Sequence, residues 1–308
     1  MAQDANTASS TPGRIANMKI GLLAAALGGL AAAQNLYDRN PHVMELTAKT
    51  FKRAVHGTNH TTLVEFYAPW CGYCQKLKPT MERAARALDG LMQVAAVNCD
   101  VDANKQLCVK HDVRGYPTLA VFQPAPAKAG ARARHVRELY QGQQKLRPLV
   151  DFSLGRIRNH VRRLDGDKLR ALFDEGGPRP AAVLVSARER VAPLYKSMAI
   201  DWLGAVDFAF VAAAKLPKDT PVPDRPGLAP CAEHLAEHLD RSALLLFNPQ
   251  ADECRVYSGE LTKPAVAEFL SQAAMPREGP LSKRERFLET LKGKKRTRGP
   301  DHDDRDEL

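Results

Sequence analysis

The sequence predicts an α/β protein of two domains, and three observations carry that reading. Its 308 residues fit about two domains, and a hydrophobic fraction of 44% suffices for two cores. Short apolar runs of strand character alternate with longer helical stretches through both halves. The most telling stretch runs from Thr61 to Pro79: a short strand, a tight turn, then a helix that opens on Cys71 and Cys74.

In the first half, Val43 to Thr47 and Thr61 to Tyr67 read as strands, with a helix from Ala48 to about Val55 between them. Trp70 to about Leu88 reads as a long helix. Gln93 to Asn98 is the third strand, and Asp102 is placed to cap a short helix running to Lys110. Thr118 to Phe122 and Arg137 to Tyr140 make a hairpin across a loop rich in proline, alanine and lysine, and Leu146 to Val161 reads as a closing helix.

The chemistry concentrates at the start of the long helix. A thiolate, not a thiol, attacks disulfides, and the unpaired N–H groups and positive dipole end of a helix stabilise one at Cys71. Cys74 follows one turn further in, within reach of a mixed disulfide held on Cys71. Two cysteines so spaced are also half of a common zinc site. The lack of a second such pair and the position at a helix start speak against that.

The run APWCGYC resembles the active-site motif of protein disulfide isomerases, usually APWCGHC, within the thioredoxin superfamily. The resemblance covers roughly residues 40 to 160, and its finer shape is similar to the fungal single-active-site isomerases. It implies a thioredoxin-like order, β-α-β-α-β-α-β-β-α, for the elements above. It also implies that Cys71 and Cys74 are catalytic, with Trp70, Gly72 and Tyr73 tuning them. Glu65 matches the family's buried proton acceptor for the resolving cysteine; its bland alternative is a solvent-facing strand residue. Pro79 matches the proline of the active-site helix, and Pro117, in RGYPTL, the cis-proline that faces the cysteines. Two departures stand out. Tyr73 replaces a histidine that can carry positive charge, which implies a less acidic Cys71 and a more reducing couple. Gln144 falls where the family has an arginine, with Lys145 and Arg147 as candidate substitutes.

The second half repeats the element logic without a cysteine pair. Asp165 to Phe173 reads as helix, Ala181 to Ser186 as strand, Ala192 to Met198 as helix and Val206 to Ala213 as strand. Beyond a proline-rich loop from Leu216 to Pro230, Ala243 to Phe247 and Cys254 to Tyr257 form a hairpin. Thr262, just ahead of Lys263-Pro264, is placed to cap a helix from Ala265 to Ala273. The fold expected is a thioredoxin-like catalytic domain, residues 36–162, followed by a second, redox-inactive thioredoxin-like domain, residues 163–276. Residues 277–308 form a charged tail, in which Ser282 and Glu285 make a capping box for a short helix through Leu291, and Gly293 onward is expected to be disordered.

Targeting signals bracket these domains. Residues 20–33 form an apolar stretch after Lys19, and Ala31 and Ala33 suit signal cleavage before Gln34, so residues 1–33 read as a signal peptide. A start at Met18 would give that peptide a normal shape, and the stretch is too short to span a bilayer well, leaving no membrane span after its removal. The ending Arg305-Asp306-Glu307-Leu308 resembles the KDEL retrieval signal, an address read by a receptor. Together they place the protein in the lumen of the endoplasmic reticulum, an oxidising compartment. There Cys99 with Cys108, and Cys231 with Cys254, are expected as structural disulfides. Two buried thiols are the alternative for the first pair; for the second, Cys231, His234, His238 and Cys254 also have legitimate zinc spacing. Asn59-His60-Thr61 is a glycosylation sequon. The net charge of +10 is dispersed apart from a basic run over residues 283–298, which reads as solvated surface and not as a nucleic-acid interface.

The functional expectation is a thiol–disulfide oxidoreductase and isomerase that needs no cofactor and no metal. Its partners would be unfolded or misoxidised secretory proteins, a thiol oxidase or glutathione, and the retrieval receptor. A chaperone or binding module that uses the second domain, and a dedicated reductase of one partner, are the alternatives.

Overall fold

In the computed structural model, residues 35–125, 135–216 and 222–276 are described. The expected leader, the 282–291 helix, the tail from Gly293 and the retrieval signal lie outside them. The first domain comprises β1 (Met44–Leu46), α1 (Ala48–Phe51), β2 (Thr62–Tyr67), α2 (Gly72–Ala87), β3 (Gln93–Asn98), α3 (Asp102–Lys110), β4 (Thr118–Pro124), β5 (His135–Leu139) and α4 (Leu146–Gly155). Its strands form one sheet in the order β1-β3-β2-β4-β5. β1, β3 and β2 run parallel, β4 pairs antiparallel with β2, and β5 pairs antiparallel with β4.

Every residue of β2 is buried. The sheet is covered on both faces, so inward and outward alternation disappears in its central strand. Leu63 and Tyr67 face the core shared with Leu77, Met81 and Ala84 of α2 and Leu149 of α4. Val64 and Phe66 face the opposite core, with Phe51 of α1 and Cys108 of α3. By strand alternation Glu65 shares the Leu63 face, the one under α2.

The second domain comprises β6 (Arg162–Arg163), α5 (Gly166–Glu175), β7 (Ala181–Ser186), α6 (Pro193–Asp201), β8 (Asp207–Ala212), α7 (Ala229–Glu237), β9 (Ala243–Asn248), β10 (Glu253–Tyr257) and α8 (Lys263–Leu270). Its sheet order, β6-β8-β7-β9-β10, has the same parallel and antiparallel pattern as the first. The chain is thus a thioredoxin domain followed by a second thioredoxin-like domain. The α6 helix follows β7 as α2 follows β2, but no cysteine stands at its start.

Several boundaries differ from the sequence reading for identifiable reasons. The helix from Ala48 continues past Phe51 as a wide turn, Lys52–His56. Asp102 does not cap α3: Val101 holds the N-cap position, and the Asp102 carboxylate pairs with Lys105 Nζ at 2.6 Å. The closing helix stops at Gly155, because the chain must leave it to enter the two-residue strand β6 that opens the next domain. Thr262 sits at the α8 N-cap position, but its side chain makes no capping bond. The proline-rich loop is shorter than expected, since Pro230 lies in the first turn of α7, where its missing N–H costs nothing.

The two domains meet through buried polar groups. Asp201, at the end of α6, is 0% exposed; its Oδ2 lies 2.6 Å from Lys263 Nζ and its Oδ1 3.0 Å from His60 Nε2 of the first domain. Lys263 Nζ and Ser197 Oγ both donate to the Gly90 carbonyl, at 2.6 and 3.0 Å.

Candidate active site

Cys71 holds the N-cap position of α2, and Cys74 lies inside its first turn. Both are free thiols and both are buried. The turn that delivers them is closed by Cys71 N–H donating to the Ala68 carbonyl at 3.1 Å. Cys71 Sγ lies 3.5 Å from the Tyr116 carbonyl, and the Tyr116–Pro117 peptide is cis, so the loop before β4 faces the Cys71 sulfur.

The two thiols are driven apart. Burial pushes Cys71 up, but hydrogen bonds from the Cys74 N–H, the Cys74 thiol and the Tyr73 N–H outweigh it and hold Cys71 below the ordinary thiol range. Burial pushes Cys74 up to about 12, helped by the Cys71 hydrogen bond and the charge of Glu65. The same helix start therefore favours the thiolate at one sulfur and the thiol at the other.

Glu65 is 0% exposed. Burial raises its carboxyl to about 8, against a hydrogen bond from Tyr37, and the charge of Glu45 raises it further. Tyr37 Oη donates to Glu65 Oε2 at 2.5 Å, while Tyr37 N–H donates to Glu45 Oε1 at 3.0 Å. Tyr67 Oη donates to the same Glu45 oxygen at 2.7 Å. The side-chain pairs Tyr37–Glu65 and Tyr67–Glu45 lie 28 and 22 residues apart along the chain, so no local motif could have revealed them.

The rim is aromatic. Trp70 is 67% exposed, its Nε1 donating to Asp100 Oδ1 at 2.9 Å and its ring meeting the edge of Tyr116. Tyr73 is 70% exposed, with Lys76 Nζ 5.8 Å above its ring. Gly72 is the first helical residue, in open space. Arg147, a candidate for the missing arginine, points its side chain to solvent and pairs with Asp151; Gln144 and Lys145 are also exposed.

Away from this site, disulfides join Cys99 to Cys108, tying the end of β3 to α3, and Cys231 to Cys254, tying α7 to β10. With both sulfurs so used, Cys231 and Cys254 offer no thiolate to a metal beside His234 and His238. Asn59 of the sequon is half-buried, and the Thr61 hydroxyl donates to the Arg156 carbonyl at 2.9 Å inside the fold.

A thioredoxin fold that sets an asymmetric dithiol at a helix start, against a cis-proline loop, defines a thiol–disulfide oxidoreductase. Residues 42–145 match the thioredoxin family. The chain is 42% identical to protein disulfide-isomerase MPD1 of Saccharomyces cerevisiae over 284 residues, covering 85% of this chain and 89% of that one. It is 30% identical to a putative protein disulfide-isomerase of Dictyostelium discoideum over 76% of this chain and 53% of that one. Among solved structures, crystal form II of ERdj5 aligns over 77% of this chain and 30% of its own, with a TM-score of 0.52 at 21% identity, a likeness of fold. The chain belongs to the protein disulfide-isomerase family.

Proposed function

We propose that this thiol–disulfide oxidoreductase forms, reduces and rearranges disulfides in proteins folding in the lumen of the endoplasmic reticulum, with Cys71 as attacking and Cys74 as resolving sulfur. The observation that carries the assignment is the placing of Cys71 at the N-cap of α2, facing the cis-proline loop, with Cys74 inside the first turn; the opposite displacement of the two thiols, Cys71 down and Cys74 up, supports it. The Cys71 thiolate attacks a client disulfide; one client sulfur leaves and a mixed disulfide forms. Cys74 then attacks Cys71, the Cys71–client bond breaks, and the client departs reduced while the Cys71–Cys74 disulfide forms. Run backwards, the same steps oxidise a client. When Cys74 does not attack, a client thiol can, and the client's disulfides are rearranged.

Glu65 takes the Cys74 proton as Cys74 attacks, a role supported by its complete burial and a carboxyl raised to about 8. Pro117 holds the loop whose Tyr116 carbonyl meets Cys71. Trp70, Tyr73 and Tyr116 offer apolar rims to an unfolded chain, which suits clients of varied sequence. The electron partner is a thiol oxidase or glutathione. Cys74→Ala should trap client proteins as mixed disulfides on Cys71, and Cys71→Ala should trap almost none, as read on non-reducing gels; the reverse pattern would reject the assignment.

The lumenal location is supported by the leader-like residues 20–33 and the terminal Arg305 to Leu308, which would engage the retrieval receptor. Deleting residues 305–308 should send the protein into the medium with its activity intact. Continued retention of the shortened chain would mean that another contact holds it.

A further inference from the structure

We infer that Tyr37 is a positioning residue for the resolving step: its phenol clamps Oε2 of Glu65 and leaves Oε1 to receive the Cys74 proton. The inference rests on Glu65 acting as that proton acceptor.

Glu45, Ala96 and Glu65 lie in one row across the sheet, Ala96 pairing with Glu45 on one side and Glu65 on the other. Tyr37 spans this row, with its phenol on Glu65 and its N–H on Glu45. The Tyr37 and Tyr67 rings meet edge to face at 5.8 Å. Glu65 Oε1 is buried and has no hydrogen-bond partner among the described residues. Tyr37 belongs to the core cluster that also holds Cys71, Cys74 and Tyr67. The groups that act on Glu65 are therefore Tyr37 from the segment before β1, Glu45 from β1, Tyr67 from β2, and the two thiols of α2. Ala96 on β3 and Leu119 on β4, its cross-strand neighbours, carry no charge.

With no cation in this list, the Tyr37 hydrogen bond is what favours the ionised carboxylate against burial and against Glu45. The phenol is held far above the ordinary tyrosine range by burial and by the charge of Glu65, so it stays a donor throughout. In the step itself the Cys74 Sγ–H proton passes to Glu65 Oε1 and Sγ attacks Cys71. The Cys71–client S–S bond then breaks, and the client sulfur leaves as thiolate with the electron pair. Without the phenol a smaller fraction of Glu65 is ionised at neutral pH, and each unit of upward shift cuts that fraction about tenfold.

The test uses the full chain carrying a thionitrobenzoate mixed disulfide on Cys71, and follows release of the coloured thiolate against pH in the parent, Tyr37→Phe, Glu65→Gln and the double variant. Tyr37→Phe should move the midpoint of the profile up by about one unit, slowing release roughly tenfold near pH 7, with rates converging in alkali. In the Glu65→Gln background the same change should add nothing. A Tyr37→Phe profile that overlays the parent overturns the inference, as does a slowing that is equal at all pH values and persists beside Glu65→Gln. If Glu65→Gln itself releases at the parent rate, the proton-acceptor reading fails, and the role of Tyr37 with it; a slow Glu65→Gln with an unaltered Tyr37→Phe overturns Tyr37 alone. Should Tyr37→Phe not fold, the infrared carboxyl band of the parent, identified by its loss in Glu65→Gln, reads the same contact. A singly hydrogen-bonded carboxyl supports the clamp, and a free one overturns it.

Discussion

Tyr73 stands between Cys71 and Cys74, yet its ring turns outward and only its N–H reaches Cys71. The acidity of Cys71 thus comes from backbone donors at the start of α2 and from the Cys74 thiol, none of which involves the ring at position 73. A histidine there would add a positive charge beside the sulfur. Tyr73→His is expected to lower the Cys71 pKa further and make the couple more oxidising, by about 30 mV for each tenfold gain in thiolate. Ultraviolet titration of the thiolate, with glutathione equilibration, checks both; an unmoved titration would count against it. This residue and the cysteines were legible because their relation is local, three positions along one helix. The partners of Glu65 were not, since Tyr37 comes from before β1 and Glu45 from β1 itself.

At the scale of elements, the face of the first sheet away from the active site carries a ring cluster. Phe51 of α1, Phe66 of β2 and Phe122 of β4 surround His111, with His56 and His135 close by. Burial, then the charges of His56, Arg137 and Lys110, lowers His111 from its ordinary 6.5 to about 4. Burial lowers His56 and His135 as well. These rings are neutral in the fold, so the unfolded chain takes up protons first as the pH falls. Stability is therefore lost between about 6.5 and about 4. His111→Phe, which keeps the ring without the charge, should flatten this acid-side loss in the melting temperature measured against pH; an unchanged slope would rule the cluster out as its source. The element boundaries that escaped the sequence share a cause. The end of α4 at Gly155 and the start of α7 at Ala229 are set by where the chain must go next, not by periodicity within the helix.

Across the whole molecule, one topology is used twice and joined by polar contacts at the junction. Asp201 is fully buried between Lys263 of its own domain and His60 of the other, and Lys263 also reaches the Gly90 carbonyl across the junction. A buried carboxylate with two partners contributes little net stability against its own desolvation, but removing it strands the partners, at about 3–5 kcal/mol. Asp201→Ala is expected to lower stability by that amount in urea and to split unfolding into two transitions as the domains uncouple. A single transition with an unchanged midpoint would show that apolar contacts alone hold the domains. His60 sits inside the sequon, where the sequence marks only Asn59 and Thr61; its role at the junction is visible only once the second domain is folded against the first.

The sequence by itself determined the two-domain α/β architecture and the dithiol at the start of α2, and through its family resemblance pointed to the cis-proline loop. Each of these depends on residues that act on their neighbours: apolar runs that make strands, a helix start that lowers a thiol, a proline before a strand. Only the tertiary structure decided which groups control Glu65, that Arg147 is spent on Asp151 at the surface, and how the domains are joined. Those outcomes depend on burial and on contacts between distant segments. A carboxylate's proton affinity is set by what surrounds it in space, and the chain order of Tyr37, Glu45, Glu65 and Tyr67 does not disclose that they meet.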